Sequence, residues 1–153
     1  MPIFQSDAAR GLVTPPMPIN AGTPTEMRYQ MQIPSSGLLV GDIFELAAIP
    51  PNMRVSNLMI DVDDLDTNAS PLISLDVGIM SGQFGDTNQA RTCGSEFWAA
   101  FIGARTGGIF MPTAVGALRT GKSPVARSIG VRIVALAATP AAGILGLTVS
   151  CVD

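Results

Sequence analysis

The chain contains no histidine. That removes the usual general base of nucleophilic triads and the commonest zinc ligand, so most hydrolases of the triad type and most zinc enzymes are excluded. Cysteine is nearly as scarce. Cys93 and Cys151 are the only two, and no Cys-x-x-Cys pair occurs. Cys151 falls in an alternating apolar segment and reads as a small buried hydrophobe. Cys93 sits in a Gly/Thr-rich stretch, and nothing in the sequence supports a disulfide between the two. Charged residues make up 14% of the chain, against about 25% in an ordinary domain. The net charge is −3, and the nine Lys and Arg are scattered, so the basic footprint of a nucleic-acid binder is missing. A surface this poor in charge fits either burial under partner proteins or a neutral coat of Ser, Thr and Asn. No segment approaches the roughly 18 apolar residues of a membrane span. The first residues lack the basic start and apolar middle of a signal peptide, so synthesis and assembly in a cytosol-like compartment are expected.

What is present points to one all-β domain. Its 153 residues include 16 Gly and 12 Pro, enough turn formers for a sandwich or barrel. Residues 1–26 stand apart as an N-terminal arm. They hold Pro2, Pro15, Pro16, Pro18 and Pro24 and show neither helical nor strand periodicity, which favours an extended path. Ile3, Phe4, Leu12, Val13, Met17 and Ile19 would be costly to leave in water. The arm is therefore expected to lie on a surface, either its own body or, the favoured reading, a neighbouring subunit. These six residues are the candidate interface.

Residues 27–153 read as the folded domain. Period-2 alternation predicts strands over residues 27–33, 42–49, 53–62 and 72–80. A long strand over 126–137, a turn over 139–143 and an alternating segment from 145 to 151 predict a C-terminal hairpin. Residues 109–111 and 115–118 are short apolar pieces of weaker strand character. One short helix is expected, with Ser95 as N-cap, Glu96 in the first turn, and Phe97, Trp98, Phe101 and Ile102 at helical spacing. The result is an antiparallel double-sheet sandwich of jelly-roll type with one short helix plugging its end.

Few motifs invite chemistry. Asp61, Asp63, Asp64 and Asp66 place four carboxylates within six residues, a set that could hold a hard cation. The spacing matches no EF-hand loop, and the favoured reading is a strand end whose aspartates cap turn amides. Gly121-Lys122-Ser123 imitates the end of a phosphate-binding loop, but Pro124 follows where the helix would begin, so it reads as a turn. No Gly-x-Ser-x-Gly occurs.

Several blocks carry a resemblance. Residues 37–46 (Gly-Leu-Leu-Val-Gly-Asp-Ile-Phe-Glu-Leu), 49–55 (Ile-Pro-Pro-Asn-Met-Arg-Val), 60–66 (Ile-Asp-Val-Asp-Asp-Leu-Asp), 75–79 (Leu-Asp-Val-Gly-Ile) and 138–147 resemble small virion structural proteins of tailed bacteriophages. The similarity spans about residues 37–150 and rests on turns and strand edges. The resemblance implies a capsid decoration, or cement, protein. Such proteins are commonly jelly-roll trimers on the outside of the head, holding capsomers together. It brings no catalytic residues and no cofactor. The expected partners are further copies of the chain and the major capsid protein, with no nucleic acid and no membrane. The expected location is the exterior of the virion, assembled in the host cytoplasm. A tail or receptor-binding jelly roll is the alternative, and a metal-dependent enzyme on residues 61–66 the weakest reading.

Overall fold

A computed structural model describes residues 2–14 and 23–153. Among the described residues nine strands run in chain order: β1 (Ile3–Gln5), β2 (Thr25–Ile33), β3 (Ile43–Ile49), β4 (Arg54–Val62), β5 (Ser74–Ile79), β6 (Trp98–Phe101), β7 (Gly108–Phe110), β8 (Arg127–Ala135) and β9 (Gly143–Val152). They form a five-stranded sheet in the order β1-β3-β8-β5-β6 and a four-stranded sheet in the order β2-β9-β4-β7. Only β1 pairs in parallel; every other pairing is antiparallel. The two sheets enclose one core that includes Leu46, Leu58, Ile60, Val77, Ile129, Val131, Leu145 and Leu147. The expected all-β sandwich of jelly-roll type is therefore the fold.

The strand periodicity explains where each sheet faces water. In β2 the sequence alternates between sides, and Tyr29 and Ile33 are buried while Arg28, Gln30 and Gln32 are exposed. In β4 the alternation breaks at a bulge between Val55 and Asn57. The extra residue shifts the phase, so Val55 and then Leu58, Ile60 and Val62 point into the core. β3 shows no alternation because all seven of its residues are buried. Its outer face is covered by the loop over residues 81–94. Ile43 packs there against Met80 and Cys93, with Ile3 beside them. The loop lies flat on that sheet because Gly78 and Gly130 are paired in register beneath it. A Cβ at Gly130 would come within 2.7 Å of Met80, and one at Gly78 would fall inside the backbone of Gly94.

Three expectations about local structure are corrected. Residues 95–102 do not form a helix. Trp98–Phe101 is strand β6, added to the free edge of β5, and the one helical piece among the described residues is a 3-10 turn at Gly103–Arg105. The bonds that would have started a helix go elsewhere. Phe97 N donates to Val77 O (3.0 Å), and the Glu96 carboxylate accepts from Ile79 N (2.8 Å). Residues 115–118 form a turn, not a strand. Finally, β8 and β9 are not a hairpin. β8 pairs with β3 and β5 in one sheet, while β9 pairs with β2 and β4 in the other. The segment read as a hairpin turn is a crossover between sheets.

Candidate interaction surfaces

The arm begins as part of the body. β1 lies in register on β3, with Ile3, Phe4 and Gln5 opposite Ile43, Phe44 and Glu45. On the inner side the Phe4 and Phe44 rings stack with centroids 5.2 Å apart. On the outer side Gln5 Nε2 donates to Glu45 Oε2 (2.7 Å). Ser6 is buried; its backbone N donates to Glu45 O (2.7 Å) and its Oγ to Leu46 O (2.7 Å). Pairing with β3 ends there, and residues 7–11 form a turn that stays on the body, with Ala8 and Ala9 buried and Leu12 N bonded to Asp7 O (2.8 Å).

The six candidate interface residues therefore divide. Ile3 and Phe4 are half-buried against their own chain. The reason is the free edge of β3, whose unpaired backbone groups accept any nearby extended segment. Leu12 and Val13 remain 68% and 42% exposed. Met17 and Ile19 lie outside the described residues.

Beneath β1 sits a charged knot. Glu45 Oε1 accepts from Arg91 Nη2 (2.8 Å) and from Gly85 N (3.1 Å). Arg91 also donates from Nη2 to Ser128 Oγ (2.6 Å), from Nε to Ser81 O (2.7 Å) and from Nη1 to Asp86 O (2.8 Å). The arm, the 81–94 loop and strands β3 and β8 thus meet at one pair of buried side chains.

The acidic run adopts the capping role. Asp66 is buried, and its carboxylate accepts from Leu72 N (2.7 Å), Ile73 N (3.1 Å), Ala138 N (2.9 Å) and Thr139 N (2.9 Å). Burial alone would raise its pKa, but the four amides outweigh it and hold the carboxyl well below the usual range. Asp63 accepts from Ile144 N (2.7 Å), Asp64 accepts from Asp66 N (3.0 Å), and Asp61 pairs with Arg28. These carboxylates are spent on backbone amides and a cation. Among the described residues no group of three or more His, Cys, Asp and Glu side chains gathers as metal ligands. Both cysteines are free and buried. Burial pushes the Cys93 thiol up to about 12 and the Cys151 thiol up to about 11. Lys122, of the loop-like Gly-Lys-Ser, pairs with Asp153 (2.8 Å) in an exposed position. Among the described residues no helix is long and apolar enough to cross a membrane.

One surface escaped the sequence reading. Ile102, Ile109 and Met111 are all more than half exposed, beside the half-buried Trp98 and Phe110. The helix expected over residues 95–102 hid it by assigning Trp98 to the interior. The signal that could have exposed it is the apolar run Ile109-Phe110-Met111 directly after the glycine-rich turn at 103–108.

Comparison with known proteins agrees with this architecture. No family model matches the chain, and no curated protein matches it in sequence. Among solved structures, it superposes on a chain from the capsid of Ralstonia phage GP4 with a TM-score of 0.93 and 41% identity, covering 99% of this chain and 97% of that one. A chain of the cyanophage Pam1 capsid asymmetric unit shares the fold, with a TM-score of 0.64, 20% identity and 91% of each chain covered. Identity of 41% sustained over nearly the full length of both partners shows common descent, and this chain belongs to the same family of phage capsid proteins as its Ralstonia phage GP4 counterpart.

Proposed function

We propose that the chain is a decoration protein of a phage head, a homotrimer that sits on the exterior of the virion, is assembled in the host cytoplasm, binds the major capsid protein and catalyses no reaction. The observation that carries this reading is the 41% identity to a capsid chain along its whole length. The molecule supports it in three ways. The described carboxylates and thiols are committed to structural contacts or buried. The surface is poor in charge and carries exposed apolar side chains on the arm and on the flank of β6 and β7. The arm is anchored from Gln5 and Ser6 through the buried Ala8 and Ala9, and then leaves Leu12 68% and Val13 42% exposed. The mechanism is adhesive: apolar area is buried on neighbouring subunits, and several weak contacts per oligomer multiply into firm attachment.

Deleting residues 1–20 would test this poorly, because β1 and Ser6 complete the edge of β3. Substitution of the exposed pair, Leu12→Asp with Val13→Asp, leaves that edge intact. The double variant should keep its thermal midpoint and lose at least about tenfold in affinity for empty shells in a co-sedimentation assay. Undiminished binding by a correctly folded variant excludes the arm from the interface. Failure of the unsubstituted protein to bind shells at all excludes the decoration role.

A further inference from the structure

The free edges of the two sheets come together on one flank of the sandwich. β6 ends the five-stranded sheet and β7 ends the four-stranded one. The 3-10 turn at Gly103–Arg105 joins them. Phe101 meets Trp98 at 5.6 Å and Phe110 edge-on at 5.2 Å, measured between ring centroids. Gly103 lies under these rings; a Cβ there would stand 2.6 Å from Phe110. The flank forms an open groove whose lining includes Pro71, Trp98, Ile102, Phe110 and Met111. Its one charged lining residue is Arg105. That guanidinium is already engaged, donating from Nε to Ile73 O (2.8 Å) and from Nη2 to Leu72 O (3.2 Å). The groove is therefore an aromatic-lined channel between two strand edges, with no carboxylate in its lining and its one cation held by backbone carbonyls.

We infer that this groove receives the proline-rich arm, residues 12–19, of a second copy of the chain. Two observations select that occupant. The first is chemical. Residues 12–19 read Leu-Val-Thr-Pro-Pro-Met-Pro-Ile, with no charge and three prolines. Such a sequence prefers the polyproline conformation, whose preformed ridges fit aromatic-lined grooves at low entropic cost. Leu12 enters this segment largely uncovered by its own body, and Val13 is 42% exposed.

The second observation is geometric, and it excludes a chain filling its own groove. Val13 lies beside Met27 and Tyr29 of β2, and the chain rejoins β2 at Thr25. Both ends of the intervening segment are thus on the flank of β1 and β2. The groove is on the other flank, beyond β3, β8 and β5 in one sheet and beyond β9 and β4 in the other. By the shorter route, three strand spacings of about 4.8 Å across β9 and β4 to β7, the crossing is roughly 14 Å, or about 29 Å there and back. Residues 14 and 23 are nine peptide links apart, which reach at most about 32 Å when fully extended. Almost the whole fully extended length is spent on the crossing, which leaves none for residues 12–19 to lie along the groove, so the occupant comes from another molecule. In a closed ring each copy would give one arm and receive one, a heterologous contact repeated around the symmetry axis.

This inference rests on the self-association proposed above, and the experiment separates the two. A photo-reactive residue replaces Ile102 in the full chain, and the protein is irradiated and digested with trypsin. Residues 11–28 form a single tryptic peptide, bounded by Arg10 and Arg28. The expected product is a species of dimer mass in which position 102 is joined to that peptide. The double substitution Val13→Asp with Pro16→Asp should lower its yield by roughly tenfold while the oligomer's circular dichroism stays that of a β protein. Cross-links to any other peptide of a second copy, to the same chain, or to a shell protein overturn the inference while leaving self-association standing. So does an unchanged yield in the double variant. A monomer at every concentration by light scattering overturns both.

Discussion

Glu45 and Arg91 form an ion pair from which water is shut out: the Oε1 to Nη2 distance is 2.8 Å, and the two side chains are 0% and 2% exposed. Residues 46 positions apart in the chain are tied where β3, the 81–94 loop and the arm converge. A buried pair of this kind is not by itself a large source of stability, because each charge lost its hydration. It does make each partner essential to the other, since neither can stay buried alone.

Arg91→Ala should therefore destabilise the fold by about 3–5 kcal/mol, because it strands the Glu45 carboxylate under the loop. Gln5→Ala removes one hydrogen bond to the same carboxylate and should cost about 1–2 kcal/mol. Denaturant unfolding followed by Trp98 fluorescence checks both. Equal costs for the two variants would show that the pair is not the organising contact.

The crossover between the sheets hangs on Asp66. Asp66→Ala removes the acceptor of five backbone amides, those of Leu72, Ile73, Ala138, Thr139 and, at 3.4 Å, Asn68, and should cost about 3 kcal/mol or more in the same unfolding experiment. The pH dependence follows from the lowered pKa. A carboxyl that titrates lower in the folded state than its ordinary 3.8 contributes stability that is complete above that value. The contribution is lost as the pH falls from there toward the folded-state pKa. Acid unfolding should therefore be shallower in Asp66→Asn than in the parent below about pH 4. Parallel acid limbs would refute the assignment.

Gly78 and Gly130 sit side by side under the 81–94 loop, yet an alanine should be tolerated unequally. At Gly78 the new methyl meets the backbone of Gly94, which cannot yield without moving the loop. At Gly130 it meets the flexible Met80 side chain at 2.7 Å. Gly78→Ala should cost about 3 kcal/mol and expose the loop to limited proteolysis, whereas Gly130→Ala should cost about 1–2 kcal/mol. Similar protease sensitivity in the two variants would count against this account of the packing.

Neither cysteine should react in the native protein. With their thiols pushed up to about 12 and about 11 by burial, Cys93 and Cys151 should resist Ellman's reagent at pH 8 and titrate as two free thiols in denaturant. Fast labelling of either in the folded state would show that its cover opens.

Much of this molecule follows from periodicity. Wherever one face of a strand meets the core and the other meets water, as in β2, alternation reports it locally, and the sandwich is readable from the chain alone. The absence of histidine and the proline-rich start are likewise properties of the sequence, and they direct attention to binding. What alternation does not encode is the partner. β8 and β9 carry the pattern of a hairpin, yet they lie in different sheets because Asp66 pins the connecting segment across the gap. Residues 97–102 fit a helical spacing, yet the open edge of β5 took them as a strand. The arm's apolar residues announced a surface to lie on, while the free edge of β3 decided that Ile3 and Phe4 would lie on their own chain. In each case a hydrogen-bonding edge far away in sequence outweighed a local preference worth only a fraction of a kcal/mol per residue. Only the assembled sheets determine which edges remain free, and those edges are where this protein has surface left to offer a neighbour.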